Sequence, residues 1–112
     1  MEALDQKKVA ELLSLMGDDY PSVFNAFNES ALKCLQQLSI AIEKLDIQNI
    51  ERTSHTLKGS SANIGALQLS KLCDVIVSKA RNADDDGYAE LFDKVNKEYD
   101  KVRDAISKLL EK

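Results

Sequence analysis

Apolar residues recur every three or four positions along most of the chain, and this spacing constrains the fold more than any other feature of the sequence. A period of this length gathers apolar side chains on one face of an α-helix, whereas a half-buried strand requires alternation. The longest run follows Pro21 and consists of Phe24, Phe27, Ala31, Cys34, Leu35, Leu38, Ala41, Ile42 and Leu45. With three Phe, three Tyr and no Trp, the composition also favours helices over strands.

The same period predicts five helices with short connections. They cover residues 5–16, 19–45, 46–64, 66–81 and 88–110. Asp46 is placed to cap the third helix, Gly65 is placed to end it, and residues 82–87 form the clearest loop. Short connections make successive long helices antiparallel neighbours. We therefore expect one all-α domain over residues 1–112, an antiparallel up-down four-helix bundle with the short first helix across one end.

Composition and charge limit the class of protein. A hydrophobic fraction of 44% and a charged fraction of 30% are typical of a globular domain. The net charge of −4 and the lack of a basic cluster argue against a nucleic-acid partner. No apolar run resembles a signal peptide or a membrane span, so we expect a cytoplasmic protein with no membrane partner. Cys34 and Cys73 have neither metal nor redox spacing, and we expect both to be buried free thiols.

The third predicted helix contains the only histidine of the chain, His55. A step of about 100° per residue gives this helix a core-facing stripe of Ile47, Ile50, Ser54, Leu57, Ser61 and Ile64. His55 then lies roughly 140° from the centre of the stripe, so it faces solvent or a shallow groove. From position alone it could be an ordinary solvated residue. One histidine supplies too few ligands for a structural zinc site, and no hydrolytic triad can be argued around it.

Gly59 follows His55 by one turn on the same exposed face. A glycine inside a helix costs about 1 kcal/mol relative to alanine, so its presence needs a reason. Close helix packing is the usual reason, but the periodicity places Gly59 away from the core. We interpret the glycine as a bare flank through which another protein reaches His55, whose neutral imidazole is a good nucleophile.

Residues 54–66 read Ser-His-Thr-Leu-Lys-Gly-Ser-Ser-Ala-Asn-Ile-Gly-Ala and resemble the signature of histidine phosphotransfer (Hpt) domains. The resemblance implies that His55 accepts a phosphoryl group from the phospho-aspartate of a receiver domain and passes it to another receiver aspartate. It also implies that Lys58 stabilises the phosphoryl group and that Gly59 gives the partner access. Like that family, the chain has no P-loop or other nucleotide motif, so we expect no kinase activity, no cofactor and no bound metal.

Three further residues are candidates for the surroundings of His55. Glu51, one turn earlier, could accept a hydrogen bond from the second ring nitrogen or be only an exposed carboxylate. Ala62 extends the bare surface of the third helix. Leu32 lies about 120° from the core stripe of the second helix and is either an apolar contact for the partner or packed at the edge of the bundle. The expected partners are receiver domains of a hybrid sensor kinase, a response regulator or both, and we expect a monomer.

Two other functions are compatible with a helical bundle. The first is a module that binds a receiver without passing phosphate, and the intact pair of His55 and Lys58 argues against it. The second is the dimerisation helix pair of a sensor kinase. Such pairs usually have an acidic residue after the histidine, whereas Thr56 follows here. They also need a second chain to complete four helices.

Overall fold

A computed structural model describes residues 2–111, and all regular structure within that range is helical. The five α-helices are α1 (Gln6–Met16), α2 (Tyr20–Glu43), α3 (Ile47–Asn63), α4 (Leu67–Arg81) and α5 (Tyr88–Leu110), and a short 3-10 helix (Gly17–Asp19) joins α1 to α2. The predicted all-α class and helix order are therefore confirmed. None of the described helices is long and apolar enough to cross a membrane.

Helices α2 to α5 form the bundle. α3 packs between α2 and α4, and α5 closes the bundle by contacting both α2 and α4. No Cα atom of α2 lies within 8 Å of one in α4, and the same holds for α3 and α5, so these two pairs are diagonal. The most extensive contact is between α3 and α4. Ser54 and Ser61, on the core face of α3, are fully buried, and their small size permits close helix approach.

The core is formed by the apolar stripe of each bundle helix. Its largest fully buried apolar side chains are Phe24, Leu38, Ile50, Leu57, Leu69, Cys73, Ile76, Val77, Val95, Val102 and Ile106. Because these positions follow the helical period, each helix is amphipathic and the opposite faces remain exposed. The four-helix core is complete within one chain, so the fold does not require the second chain that a sensor-kinase helix pair needs.

The turn between α2 and α3 differs from the sequence prediction. α2 ends at Glu43 instead of continuing to Leu45, which has a φ of 53° and is 49% exposed. The prediction that Leu45 continues the core stripe is therefore wrong, because the chain has to reverse direction before α3 begins. The cap at Asp46 is confirmed, since its side chain accepts a hydrogen bond from the backbone N–H of Asn49 at 3.3 Å.

α1 lies across the end of the bundle at the α3–α4 turn. The backbone N–H of Asp5 donates to the carbonyl oxygen of Gly65 at 2.7 Å. Gly65 has a φ of 82°, and a Cβ at this position would lie 3.0 Å from the Cβ of Lys8. Backbone conformation and the close approach of α1 both favour glycine there. This end is roughly 15 Å along α3 from His55, so the contact between α1 and the α3–α4 turn lies at a distance from the candidate site.

Candidate functional site

His55 lies near the middle of α3 on the exposed face of the helix. Two nearby residues, Ser54 and Leu57, are fully buried, so core packing of α3 turns the imidazole outward. The imidazole borders an open groove of about 360 Å³. The groove is also lined by Gln48, Glu51, Arg52, Thr56 and Arg81. A chemical group on another protein can therefore reach His55 without any rearrangement of the bundle.

Gly59 leaves a bare surface beside His55. It is exposed, and a Cβ built at this position would meet nothing within 4 Å. No neighbouring helix approaches closely enough to require glycine, in contrast to Gly65. The structure thus gives no packing reason for Gly59.

The ammonium group of Lys58 is bound across the α3–α4 interface. Its Nζ lies 2.8 Å from Oδ1 of Asp74, and both side chains are partly exposed. The hydroxyl of Ser70, one turn before Asp74, donates to the carbonyl oxygen of Lys58 at 3.0 Å. The hydrogen bond from Lys58 and its positive charge hold the pKa of the Asp74 carboxyl below its usual range. Lys58 is therefore positioned on the α4 side of His55.

Glu51 pairs with α4 and not with His55. Its Oε1 accepts a hydrogen bond from Nε of Arg81 at 2.9 Å. The suggested hydrogen bond from the imidazole to Glu51 is absent from this arrangement, because a guanidinium charge attracts the carboxylate more strongly than a neutral ring N–H does. Nor is Glu51 a free carboxylate, since its side chain is 35% exposed and ion-paired.

Two ion pairs thus bracket His55 along α3. The Glu51 pair lies one turn toward the N-terminus of the helix, and the Lys58 pair lies one turn toward its C-terminus. Their polarity is reversed, because α3 supplies the anion in the first pair and the cation in the second. By this register the α4 residue level with His55 is Val77, which is buried. α4 therefore supplies a charged side chain about one turn to either side of His55.

Helix α2 has exposed apolar side chains, and one of them lines a groove next to that of His55. Leu32 is 54% exposed, which argues against its packing at the edge of the bundle. Ile40, two turns further along α2, is 48% exposed and lines a groove of about 270 Å³ between α2 and α3. Arg52 lines both this groove and the His55 groove, so the two adjoin. Ala62 on α3 is half-buried.

Neither a metal site nor a disulfide is present among residues 2–111. No group of three or more His, Cys, Asp or Glu side chains could hold a metal ion in this range. Cys34 and Cys73 are buried free thiols on the diagonal helices α2 and α4, whose Cα atoms are too far apart for a disulfide. Burial raises the pKa of both thiols, that of Cys73 to about 12, so neither is a reactive thiolate.

The sequence patterns do not single out Asp74, Arg81 or Ile40. Asp74 and Arg81 are two turns apart on α4, and Ile40 is two turns from Leu32 on α2. Each pair therefore shares one helix face, which is only a weak signal that its members belong to one site. The two ion pairs additionally depend on the register between α3 and α4. The period of a single helix does not contain that information.

Comparisons with known proteins agree with this arrangement. A family model described as Hpt domain matches residues 22–105, a segment that includes His55 and both ion pairs. Among solved structures, the chain is similar to histidine-containing phosphotransfer protein B from Pseudomonas aeruginosa PAO1. The TM-score is 0.92 at 28% sequence identity, over 95% of this chain and 92% of that one. A search of curated proteins gave no match.

Proposed function

The chain belongs to the Hpt domain family, and from this premise we propose that His55 is the residue that carries the phosphoryl group. Family membership makes the chain a histidine phosphotransfer protein of a phosphorelay. The observation that supports His55 is its uniqueness, since the chain contains one histidine. That residue is exposed in the middle of a helix within the matched segment. Both features suit a side chain that has to meet a partner.

The proposed reaction consists of two reversible transfers. In loading, the unprotonated ring nitrogen of His55 attacks the phosphorus of a receiver's aspartyl phosphate. An N–P bond forms while the P–O bond to the aspartate breaks, and the aspartate leaves as a carboxylate. The other ring nitrogen keeps its proton throughout. In unloading, the carboxylate of a receiver aspartate attacks the phosphorus and His55 leaves as neutral imidazole. Both transfers need in-line approach from outside the bundle, and the exposed position of His55 permits it.

Lys58 is the proposed cation for the transferring phosphoryl group. A phosphoryl group in transfer spreads negative charge over its equatorial oxygens, and a preorganised cation stabilises that charge. The bond to Asp74 holds the ammonium group near His55 before the phosphoryl group arrives. Asp74 is accordingly a positioning residue for Lys58.

The proposed docking surface surrounds His55 and accommodates a receiver domain. A transient interface needs an apolar centre and a polar rim. Gly59 and Ala62 supply the bare centre on α3, and Leu32 and Ile40 supply exposed apolar side chains on α2. A receiver must seat here because its aspartate has to come within bonding distance of His55.

The remaining parts of the proposal concern assembly and location. We assign the chain as a monomeric carrier without kinase activity, serving receivers of a hybrid sensor kinase, a response regulator or both. The complete four-helix core within one chain supports the monomer. Two free cysteines suit the reducing cytoplasm. Sedimentation at several protein concentrations tests the monomer, and a mass that doubles with concentration would contradict it.

The test of His55 is phosphoryl transfer from a phosphorylated receiver to the wild-type chain and to His55→Gln. We expect the wild-type chain to acquire the label and the variant to remain unlabelled. The fold should persist, because an exposed substitution of this kind changes the free energy of unfolding by less than about 0.5 kcal/mol. Circular dichroism and thermal unfolding supply that control. Label on a folded His55→Gln chain would refute the assignment.

A further inference from the structure

Arg52 lies on the exposed face of α3, about one turn before His55. The other two arginines of the chain are each ion-paired to a carboxylate. Arg52 has no carboxylate partner in the part of the chain that the structure describes. Its Nη2 donates instead to Oδ1 of Asn49, a neutral amide oxygen. The positive charge of Arg52 is therefore not neutralised by a direct ion pair.

A ladder of hydrogen bonds along α3 holds this guanidinium in place. Asp46, the N-cap of the helix, accepts from the backbone N–H of Asn49 at 3.3 Å and from its Nδ2 at 2.5 Å. These bonds orient the amide so that its oxygen faces Arg52, one turn further along the helix. One bond to an amide oxygen leaves most N–H donors of a guanidinium available. Arg52 is thus ordered in advance for a further partner, which reduces the entropy lost on binding.

Arg52 borders two adjoining grooves, that of His55 and that of about 270 Å³ between α2 and α3. Lys44 lines the second groove, is exposed, and likewise has no carboxylate partner among residues 2–111. The groove also contains Asp46, whose two carboxylate oxygens accept the bonds of the ladder. In a chain of net charge −4, two cations without carboxylate partners therefore meet beside the candidate site.

The spacing of Arg52 and His55 limits which group of a partner can occupy this groove. Residues three apart on a helix have Cβ atoms about 5–6 Å from each other. A receiver has to bring its aspartate to His55, so a receiver side chain roughly one helix turn away from that aspartate meets Arg52. A guanidinium binds a carboxylate through two parallel N–H bonds. Charge pairs at the rim of an interface speed association and suppress wrong partners.

We propose that Arg52 is a specificity-determining residue that binds an acidic side chain of the receiver, with Lys44 as a second cation in the same groove. This inference rests on the proposed function, because it requires a receiver seated at His55. A receiver with a neutral or basic residue at that place would leave Arg52 without a partner or repel it, and would bind more weakly. The groove therefore selects receivers by charge, apart from the chemistry at His55.

The test is the affinity of the chain for an unphosphorylated receiver domain with which it exchanges phosphoryl groups. Arg52→Glu should lower the affinity about tenfold at low ionic strength, and Arg52→Gln about threefold. Both effects should shrink in about 0.5 M salt, because ions screen an exposed charge pair. Each surface carboxylate around the receiver's active site is then changed to lysine in turn. One such change should restore most of the affinity for Arg52→Glu.

Arg103→Glu is the matched control, because Arg103 is an exposed arginine on α5, paired within its own helix to Asp100 at 3.4 Å. It makes the same change of charge on the helix diagonal to α3 and should leave the affinity close to that of the wild type. Phosphoramidate, a small-molecule phosphoryl donor, serves as a second control. It should label Arg52→Gln as fast as the wild-type chain, because the proposed role of Arg52 is toward the receiver.

The outcomes separate this proposal from the proposed function. Equal affinities of Arg52→Glu and Arg103→Glu would overturn the role of Arg52 and leave His55 standing. A loss of affinity that is independent of salt and restored by no receiver variant would also overturn it, since no carboxylate would then be involved. Slower labelling of Arg52→Gln by phosphoramidate, with unchanged receiver affinity, would overturn it as well. A wild-type chain that gains no label from phosphoramidate or from a phosphorylated receiver would overturn both proposals.

Discussion

Nζ of Lys58 lies 2.8 Å from Oδ1 of Asp74 on the neighbouring helix, one turn beyond the only histidine. The pair orders a side chain that otherwise carries about 2 kcal/mol of rotamer entropy. Under the proposed function it also sets a competition, since a phosphoryl group on His55 and the carboxylate of Asp74 would attract the same ammonium group. The helix pair α3–α4 would then both position the cation and limit how strongly it binds the phosphoryl group.

Lys58→Ala should slow phosphoryl transfer and leave receiver docking nearly intact. Loss of one preorganised donor to a transition state lowers the rate on the order of 100-fold. Because this site is partly exposed, we expect the rate of transfer to fall by roughly 10- to 100-fold. Single-turnover transfer at saturating receiver gives the rate, and calorimetric titration gives the affinity. Lys101→Ala removes the same positive charge from α5 and is the control. A rate equal to that of the control would make Lys58 only a solubilising residue.

Asp74→Asn should lower stability near neutral pH and not in acid. Lys58 lowers the pKa of Asp74 in the folded chain, so the pairing stabilises the fold above the ordinary carboxyl pKa. That stabilisation is lost as the pH falls through the lowered pKa, because the carboxyl then binds a proton. Urea unfolding of both chains at about pH 7 and about pH 3 measures the difference. A stability gap of equal size at both pH values would contradict the pairing.

Gly59→Gln should weaken receiver binding while keeping or raising helix stability. Any ordinary residue is a better helix former than glycine by up to about 1 kcal/mol, and a side chain at this position meets no neighbour. The longer glutamine side chain would occupy the approach to His55. Gly59→Ala is the matched control and should retain most of the affinity in a calorimetric titration. Undiminished affinity in Gly59→Gln would leave this glycine unexplained.

Gly65→Ala should destabilise the fold, in contrast to Gly59→Ala. The alanine would have to adopt a φ of 82° with its Cβ 3.0 Å from Lys8. Strain of this kind costs roughly 1–3 kcal/mol. Chemical denaturation of both variants compares the two glycines directly. Equal effects of the two substitutions would contradict both the left-handed backbone at Gly65 and the close approach of α1 to it.

Ile40→Gln should reduce receiver affinity more than the same change at another exposed apolar residue. Ile40 is 48% exposed and lines the groove that adjoins the His55 groove. Loss of an apolar contact in an interface lowers the affinity roughly tenfold. Leu15→Gln on α1 is the control, because Leu15 is 81% exposed and lies outside these grooves. Equal affinities for both variants would exclude Ile40 from the docking surface.

Local features of the fold could be predicted from the sequence, because they depend on the helical period alone. The five helices, the cap at Asp46 and the outward position of His55 each follow from spacing within one helix. The left-handed turn at Leu45 could not be predicted, because an apolar residue in phase with a stripe continues it unless the chain has to reverse.

The partners of the charged side chains at the site also could not be predicted. Glu51 had the correct spacing for a bond to His55 but binds Arg81, thirty residues away in sequence. The sequence predicts Lys58 as a cation beside His55 but does not reveal its carboxylate partner on α4. Such choices depend on the relative register of two packed helices, which the periodicity of either helix leaves open.

If His55 carries the phosphoryl group as proposed, its position on the flank of a regular helix has a consequence for the order of events in the relay. A side chain on such a helix cannot travel between two partners, so donor and acceptor receivers must occupy the same face in turn. Bound donor and bound acceptor therefore exclude each other, and each must dissociate before the next transfer. The flux through the chain then depends on how quickly a receiver leaves as much as on how quickly it reacts. An excess of unphosphorylated receiver would slow the relay by holding that face occupied.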